Sequence, residues 1–181
     1  LSEFNSLETV DAVSIATPAE THFQIASDCI KKNLHTYIEK PMCMSSSECR
    51  ELIELAEENK VTIQVGHLLL YHPAIKRIKE LVNEGKIGTL RYIYSNRLSF
   101  GIIRSFENVA WSFMPHDIAL VMYLSGSELE SSQSQSRNIF SIDKEDSAHV
   151  WLNFKSGLKS HIFASWCNPF KEHKLVLIGD K

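Results

Sequence analysis

Two short stretches hold the residue types from which proton and hydride chemistry is built. The first is Glu39-Lys40-Pro41, where a titratable amine leaves the short apolar run His35-Thr36-Tyr37-Ile38 and is followed by a residue whose ring fixes the backbone. An X-Pro bond at such a point also admits the cis form. A charged lysine there can stabilise a developing alkoxide, and one with a lowered pKa can take a proton. The alternative is a solvated lysine in a strand-to-helix loop. The second stretch is Trp111-Ser112-Phe113-Met114-Pro115-His116-Asp117. Proline favours the first helical position, so a helix is expected from about Pro115, with His116 in its first turn. With an ordinary pKa of about 6.5, imidazole suits removal or return of a hydroxyl proton near neutral pH. The alternative is that Asp117 complements the helix dipole and His116 merely packs.

Other titratable groups are read first as structural. His22, His35, His67 and His72 show no i, i+4 pair with an intervening glutamate, so no helical zinc site is expected and a metal-dependent hydrolase has no ligand spacing to support it. The four cysteines, Cys29, Cys43, Cys49 and Cys167, form no C-x-x-C pair. Reduced, largely buried thiols and a cytoplasmic setting are the expectation. Lys plus Arg number 19 against 22 for Asp plus Glu, a formal charge of −3, which disfavours a basic nucleic-acid surface. No apolar stretch approaches the roughly 20 residues of a membrane-spanning helix, and Leu1 to Thr9 lacks the basic and apolar regions of a signal peptide. At about 150 residues per domain, the 181 residues allow one or two domains.

The elements that must position these residues follow from periodicity. Val10 to Ala16 reads as a buried strand ending at Thr17-Pro18, Ala19 to Asn33 as a helix, His35 to Ile38 as a strand, Ser45 to Asn59 as a helix capped near Ser45, and Val61 to Val65 as a strand closed by Gly66-His67. Strands separated by helices of about 14 residues predict right-handed βαβ units in a parallel sheet, with ligands at the carboxyl ends of the strands. Beyond residue 67 a helix is expected over Pro73 to Glu84, then a Gly85-x-x-Gly88 turn. Strands are expected over Leu90 to Ser99, Leu129 to Ile139, Ala148 to Phe154, Leu158 to Trp166 and Lys174 to Ile178, with a helix over Pro115 to Leu124. The fold class is therefore α/β, with a parallel sheet over residues 1–67 and an α+β domain carrying a largely antiparallel open sheet over residues 68–181.

Val10 to Pro18 with His22, Glu39-Lys40-Pro41, Gly66-His67, Gly85-Lys86-Ile87-Gly88 and Pro115-His116-Asp117, taken in this order, resemble the glucose-fructose oxidoreductase / inositol dehydrogenase / MocA family of NAD(P)-dependent sugar dehydrogenases. The resemblance implies part of a Rossmann domain followed by part of a substrate-binding domain whose open sheet forms homo-oligomers. It implies Lys40 and His116 as catalytic residues, and Thr17, Pro18, His22, Glu39, Lys40 and Pro41 as the lining of an NAD or NADP site. For the substrate it implies His67, Tyr71, Arg97, Trp111, Asp117 and Lys171, with Arg97, Arg104 and Lys171 as candidates for a diphosphate. Within the family, the stretches Leu68 to Pro73, Asn96-Arg97, Trp111 to Asp117 and Ser165 to Lys171 most resemble dehydrogenases of nucleotide-linked sugars, of the UDP-N-acetylglucosamine 3-dehydrogenase type.

The chain departs from the family pattern in two places. Ser112 stands where many relatives carry an aspartate four residues before the histidine, and no G-x-G-x-x-G occurs anywhere. An internal portion of a longer enzyme, or a truncated product, is the resulting expectation. Two functional readings follow: hydride transfer between a sugar or nucleotide-sugar secondary alcohol and a nicotinamide, or a non-catalytic dimerisation module lacking the pyrophosphate site.

Overall fold

The computed structural model describes residues 10–101 and 107–181. The amino-terminal stretch Leu1 to Thr9 and the diphosphate candidate Arg104 lie outside the described residues. Two compact units divide the chain, Leu1–His67 and Leu68–Lys181.

In the first unit, β1 (Ala12–Ile15), β2 (His35–Ile38) and β3 (Ile63–Val65) pair in parallel in that order, with Ile15, Ile38 and Val65 in one row. Between them run α1 (His22–Ile30), entered through a 3-10 turn at Ala19–Thr21, and α2 (Ser46–Asn59). Ala26, Cys29 and Ile30 of α1 and Leu52 and Ala56 of α2 close over Ile15 and Ile38 to form the core. The helix expected as far as Asn33 ends at Ile30. Asn33 takes a left-handed conformation with φ 61°, and the Leu34 N–H returns to the Cys29 carbonyl, which stops the helix. At the start of α2, the Ser45 hydroxyl accepts from the Glu48 N–H while the Glu48 carboxylate accepts from the Ser45 N–H, a reciprocal cap.

The second unit opens with a 3-10 turn at Leu68–Tyr71 and α3 (Pro73–Asn83). A five-stranded sheet follows in the order β5-β6-β7-β4-β8, built from β4 (Leu90–Phe100), β5 (Leu129–Arg137), β6 (Ser147–Phe154), β7 (Lys159–Ser165) and β8 (Cys167–Gly179). Three of its pairings are antiparallel, and β4 with β7 is parallel. The strand expected over Lys174 to Ile178 is thus the far end of a longer one. All of β5 is exposed, as its run of serines and glutamines implies for an edge strand.

The helix α4 (Val109–Ser125) corrects an expectation: it begins six residues before Pro115, which lies inside it. Asn108 caps it by accepting from the Trp111 N–H. An interior proline costs a helix about 3 kcal/mol. Burial of Val109, Met114, Val121 and Leu124 against the sheet, at about 1.5–3 kcal/mol per large side chain, outweighs it. His116 and Asp117 are therefore mid-helix, and neither sits in the field of a helix start.

Asp146 is fully buried at the entry to β6 and accepts the N–H groups of Ile139, Phe140 and Ser141 at 2.7–2.8 Å. Burial alone would raise its pKa, but the three N–H donors together outweigh it and hold the carboxyl below its ordinary value. A carboxyl depressed by folding contributes stability above its unfolded pKa, and that contribution is lost as the pH falls through the folded value. Asp146→Asn should lower the unfolding free energy at pH 7 by about 1–3 kcal/mol and flatten the loss of stability on acidification, both read by urea titration across pH 2 to 7.

Candidate active site

The parallel register gathers the first group of candidate residues. The Glu39 N–H donates to the Ile15 carbonyl (2.9 Å) and the Gly66 N–H to the Ile38 carbonyl (2.7 Å), so the ladder runs one residue past each strand. Thr17, Glu39-Lys40 and Gly66-His67 thereby leave the same edge of one sheet. Thr17 and Thr21 share a hydroxyl hydrogen bond of 2.7 Å, and Thr21 also caps the Pro18 carbonyl. The Lys40–Pro41 peptide is cis, and the Lys40 N–H faces Glu39 Oε2 at 3.3 Å. A Cβ on Gly66 would lie 2.7 Å from Tyr37 Oη and 3.1 Å from Glu39 Oε1, so glycine is what allows the Glu39 carboxylate to lie across the end of β3.

His67 Nδ1 is buried and has no hydrogen-bond partner among the described residues. Burial pushes the imidazole below its ordinary pKa, and the nearby Glu39 carboxylate only partly offsets this. Both the burial and the lowered pKa favour the neutral ring.

His22 is placed differently from the expected cofactor contact. Its ring is 1% exposed, with Nδ1 2.8 Å from the Pro41 carbonyl and Nε2 2.9 Å from that of Thr17. Pro41 is buried as well, whereas Thr17 and Pro18 are exposed and Glu39 and Lys40 half-buried.

In the second unit, α4 and β4 bring Arg97 and Asp117 together. Arg97 Nε donates to Asp117 Oδ2 at 2.5 Å, Arg97 Nη2 to Oδ1 at 3.3 Å, and the Ser95 hydroxyl to Oδ1 at 2.6 Å. Asp117 is 2% exposed, so its carboxylate is directed to the strand and not to solvent. His173, opposite Arg97 on β8, is held below its ordinary pKa first by burial and then by the positive charges of Arg97 and Lys171, with Asp117 acting the other way. Arg97, Asp117 and Lys171 thus share one electrostatic neighbourhood with Ser95 and His173, neither of which the sequence reading singled out. His173 falls in the part of β8 that the short expected strand left out; only extension of its alternation back through Lys171 could have found it.

His116 is partly buried one turn after the buried Ser112, and Trp111 is 39% exposed at the amino-terminal end of α4. Tyr71, 58% exposed, has the Lys76 ammonium 5.8 Å from its ring centroid. No three His, Cys, Asp or Glu side chains group as metal ligands among the described residues.

A parallel sheet with polar groups at its carboxyl edge, followed by a mixed sheet bearing a mid-helix histidine, defines a dinucleotide-type domain joined to an α/β domain. Residues 1–67 match the model described as oxidoreductase family, NAD-binding Rossmann fold, and residues 75–181 match that of the GFO/IDH/MocA C-terminal domain. The chain belongs to the Gfo/Idh/MocA family of oxidoreductases. It is 32% identical over 160 residues to UDP-N-acetylglucosamine 3-dehydrogenase of Acidithiobacillus ferrooxidans, covering 88% of this chain and 50% of the relative. A solved structure of UDP-N-acetylglucosamine 3-dehydrogenase from that organism superposes with a TM-score of 0.83 at 30% identity, covering 96% of this chain and 56% of the other. An inositol dehydrogenase homologue from Azotobacter vinelandii, complexed with NADH and myo-inositol, shares the fold at 22% identity and a TM-score of 0.86, covering 94% and 49% of the two chains. The chain spans about half the length of the curated relatives it matches.

Removing one partner of a buried ion pair leaves the other charge uncompensated, at about 3–5 kcal/mol. Arg97→Met should therefore destabilise the protein by an amount in that range, and the double variant Arg97→Met/Asp117→Leu should recover most of the loss. Urea midpoints of the three proteins check this, and a single variant as stable as the wild type would show the pair to be dispensable.

Proposed function

We propose that the protein carrying this chain is an NAD(P)-dependent dehydrogenase acting on a secondary alcohol of a sugar, and most specifically of a nucleotide-linked sugar. The observation that carries the reading is the convergence of Thr17, Glu39, Lys40 and His67 on the carboxyl edge of the parallel sheet, where doubly wound folds hold their ligands. The half-buried Glu39 carboxylate fits a hydroxyl-rich ligand as a hydrogen-bond acceptor.

When bound, the nicotinamide supplies the hydride acceptor or donor. The chain's own residues handle the proton and the orientation. His116 removes the hydroxyl proton on oxidation and returns it on reduction, a task to which an imidazole is suited near neutral pH. Lys40 stabilises the developing alkoxide as a charged hydrogen-bond donor. Thr17, Pro18 and Pro41 line the cofactor side, while Tyr71, Trp111 and Lys171 face the sugar or its diphosphate. Because Arg97 is committed to Asp117, Lys171 and Arg104 are the remaining phosphate candidates of the set. Similarity to UDP-N-acetylglucosamine 3-dehydrogenase supports the nucleotide-sugar class.

A homo-oligomer formed through the open sheet completes the reading. The sheet face away from α4 carries a row of rings, with His149 stacked on Phe163 at 4.1 Å between centroids and Trp151 beside His161 at 5.1 Å. Burying such a face against a second copy removes a large aromatic area from water. The same face also supports a second reading, a dimerisation module without catalysis. Four thiols without a disulfide suit a cytoplasmic setting, and no helix among the described residues is long and apolar enough to cross a membrane.

Calorimetric titration with NADH and NADPH, with molecular mass measured alongside, separates the two readings. Binding of either cofactor is expected from a dehydrogenase, and a folded dimer that binds neither is the module. In the active protein, Lys40→Met and His116→Ala should each lower kcat by about 10²-fold or more with a smaller change in KM. Ser112→Asp, which supplies a carboxylate one turn before His116, should raise kcat. Wild-type turnover by either loss-of-function variant would remove that residue from the chemistry.

A further inference from the structure

We infer that His22 is a positioning residue: its buried ring ties the backbone beyond β1 to the backbone beyond β2 and so sets where Lys40 stands. The inference rests on the dehydrogenase reading for its catalytic consequence, but its structural part stands on geometry alone. The ring is 1% exposed and presents no surface to a cofactor. Each of its nitrogens faces a main-chain carbonyl, Pro41 at 2.8 Å from Nδ1 and Thr17 at 2.9 Å from Nε2. Those carbonyls belong to the two segments that leave adjacent parallel strands at the candidate site. The imidazole joins the two segments one step beyond the ladder bond from the Glu39 N–H to the Ile15 carbonyl. The Pro41 carbonyl lies in the residue directly after Lys40, so its hold on the ring limits the freedom of the main chain that carries the amine.

A neutral imidazole carries one N–H and donates to one of these carbonyls at a time, both being satisfied together only when both ring nitrogens carry a proton, and a buried carbonyl left without a donor bears its desolvation penalty. Loss of the Pro41 bond therefore releases the Lys40 segment, whereas loss of the Thr17 bond releases a loop on the far side of the ring. A misplacement of about 1 Å in a reacting group costs about 10²-fold in rate. The expected signature is a fall in kcat with little change in the KM of the sugar substrate.

Amide side chains divide the two bonds. The Asn amide nitrogen falls near the position of Nδ1 and the Gln amide nitrogen near that of Nε2. His22→Asn should thus keep the Pro41 bond and His22→Gln the Thr17 bond. In turnover assays of the protein with NAD(H) and UDP-N-acetylglucosamine, His22→Asn should stay within about threefold of wild-type kcat, while His22→Gln should fall by about tenfold or more. Hydrogen exchange over residues 42–45, measured with no cofactor or substrate present, should quicken in His22→Gln and not in His22→Asn. Equal kcat and equal exchange in the two variants would overturn the inference, as would a His22→Phe protein that folds with wild-type values of both. If the wild-type protein shows no turnover, the dehydrogenase reading fails, and the exchange comparison decides by itself whether His22 holds this segment.

Discussion

The in-register parallel pairing of β1, β2 and β3 is the constraint on which the candidate site depends. A slip of one residue would move a strand end by about 3.3 Å and turn every side chain to the opposite face. Ile15 and Ile38, both almost fully buried under α1 and α2, make that slip costly, because a smaller or more polar neighbour would take the place of each. Hydrophobic burial on one face thus sets the position of polar groups that make no hydrophobic contact themselves. Glu39 and Lys40 stand where they do because Ile38 cannot move.

In the second unit the equivalent constraint is electrostatic. Ser95 and Arg97 alternate on the inward side of β4 and converge on the single carboxylate of Asp117. Burying a charge pair is a weak way to add stability, since well-packed apolar side chains do as well or better. It is a strong way to choose one arrangement, because Asp117 accepts from both side chains at once. With α4 pinned at Asp117, the preceding residue is rotated by about 100° around the helix axis. His116 is therefore offset by that angle from the face that Asp117 presents to the strand.

Most of the first unit was legible because its signals are local. Strand and helix periods, the Ser45 cap and the Thr17-Pro18 and Pro41 breaks all lie within a few residues of what they control. In the second unit the carboxyl half of α4 was legible and its start was not. Pro115 is a sound local signal for a helix start, but Asn108 and the buried Val109 begin the helix earlier, and tertiary packing carries it through the proline. The parallel pairing of β4 with β7 joins residues more than sixty apart in sequence, so no window of the sequence contains it. The same holds for the site. Lys40 and His116 are marked by their motifs, whereas the commitment of Arg97 to Asp117 and of His22 to two carbonyls depends on where distant segments fold back.

The thiols sharpen the chemical reading further. Burial, reinforced by Cys49 and Glu48, pushes the Cys43 thiol up to about 12, and burial with the adjacent Asp146 pushes Cys167 up to about 11. Cys29 is raised too, by burial first and then by Asp28. A thiol acts as a nucleophile through its thiolate, and at pH 7 a pKa of about 11 leaves about one part in 10⁴ in that form. These three cysteines are thus held in the unreactive state by the packing that surrounds them. The groups at the sheet edge are of another kind: Lys40, Glu39 and His67 are each half-buried. Amine, carboxylate and imidazole groups can hold or pass a proton without forming a covalent bond to a ligand, which is the part that the proposed hydride transfer to a nicotinamide would leave to the protein.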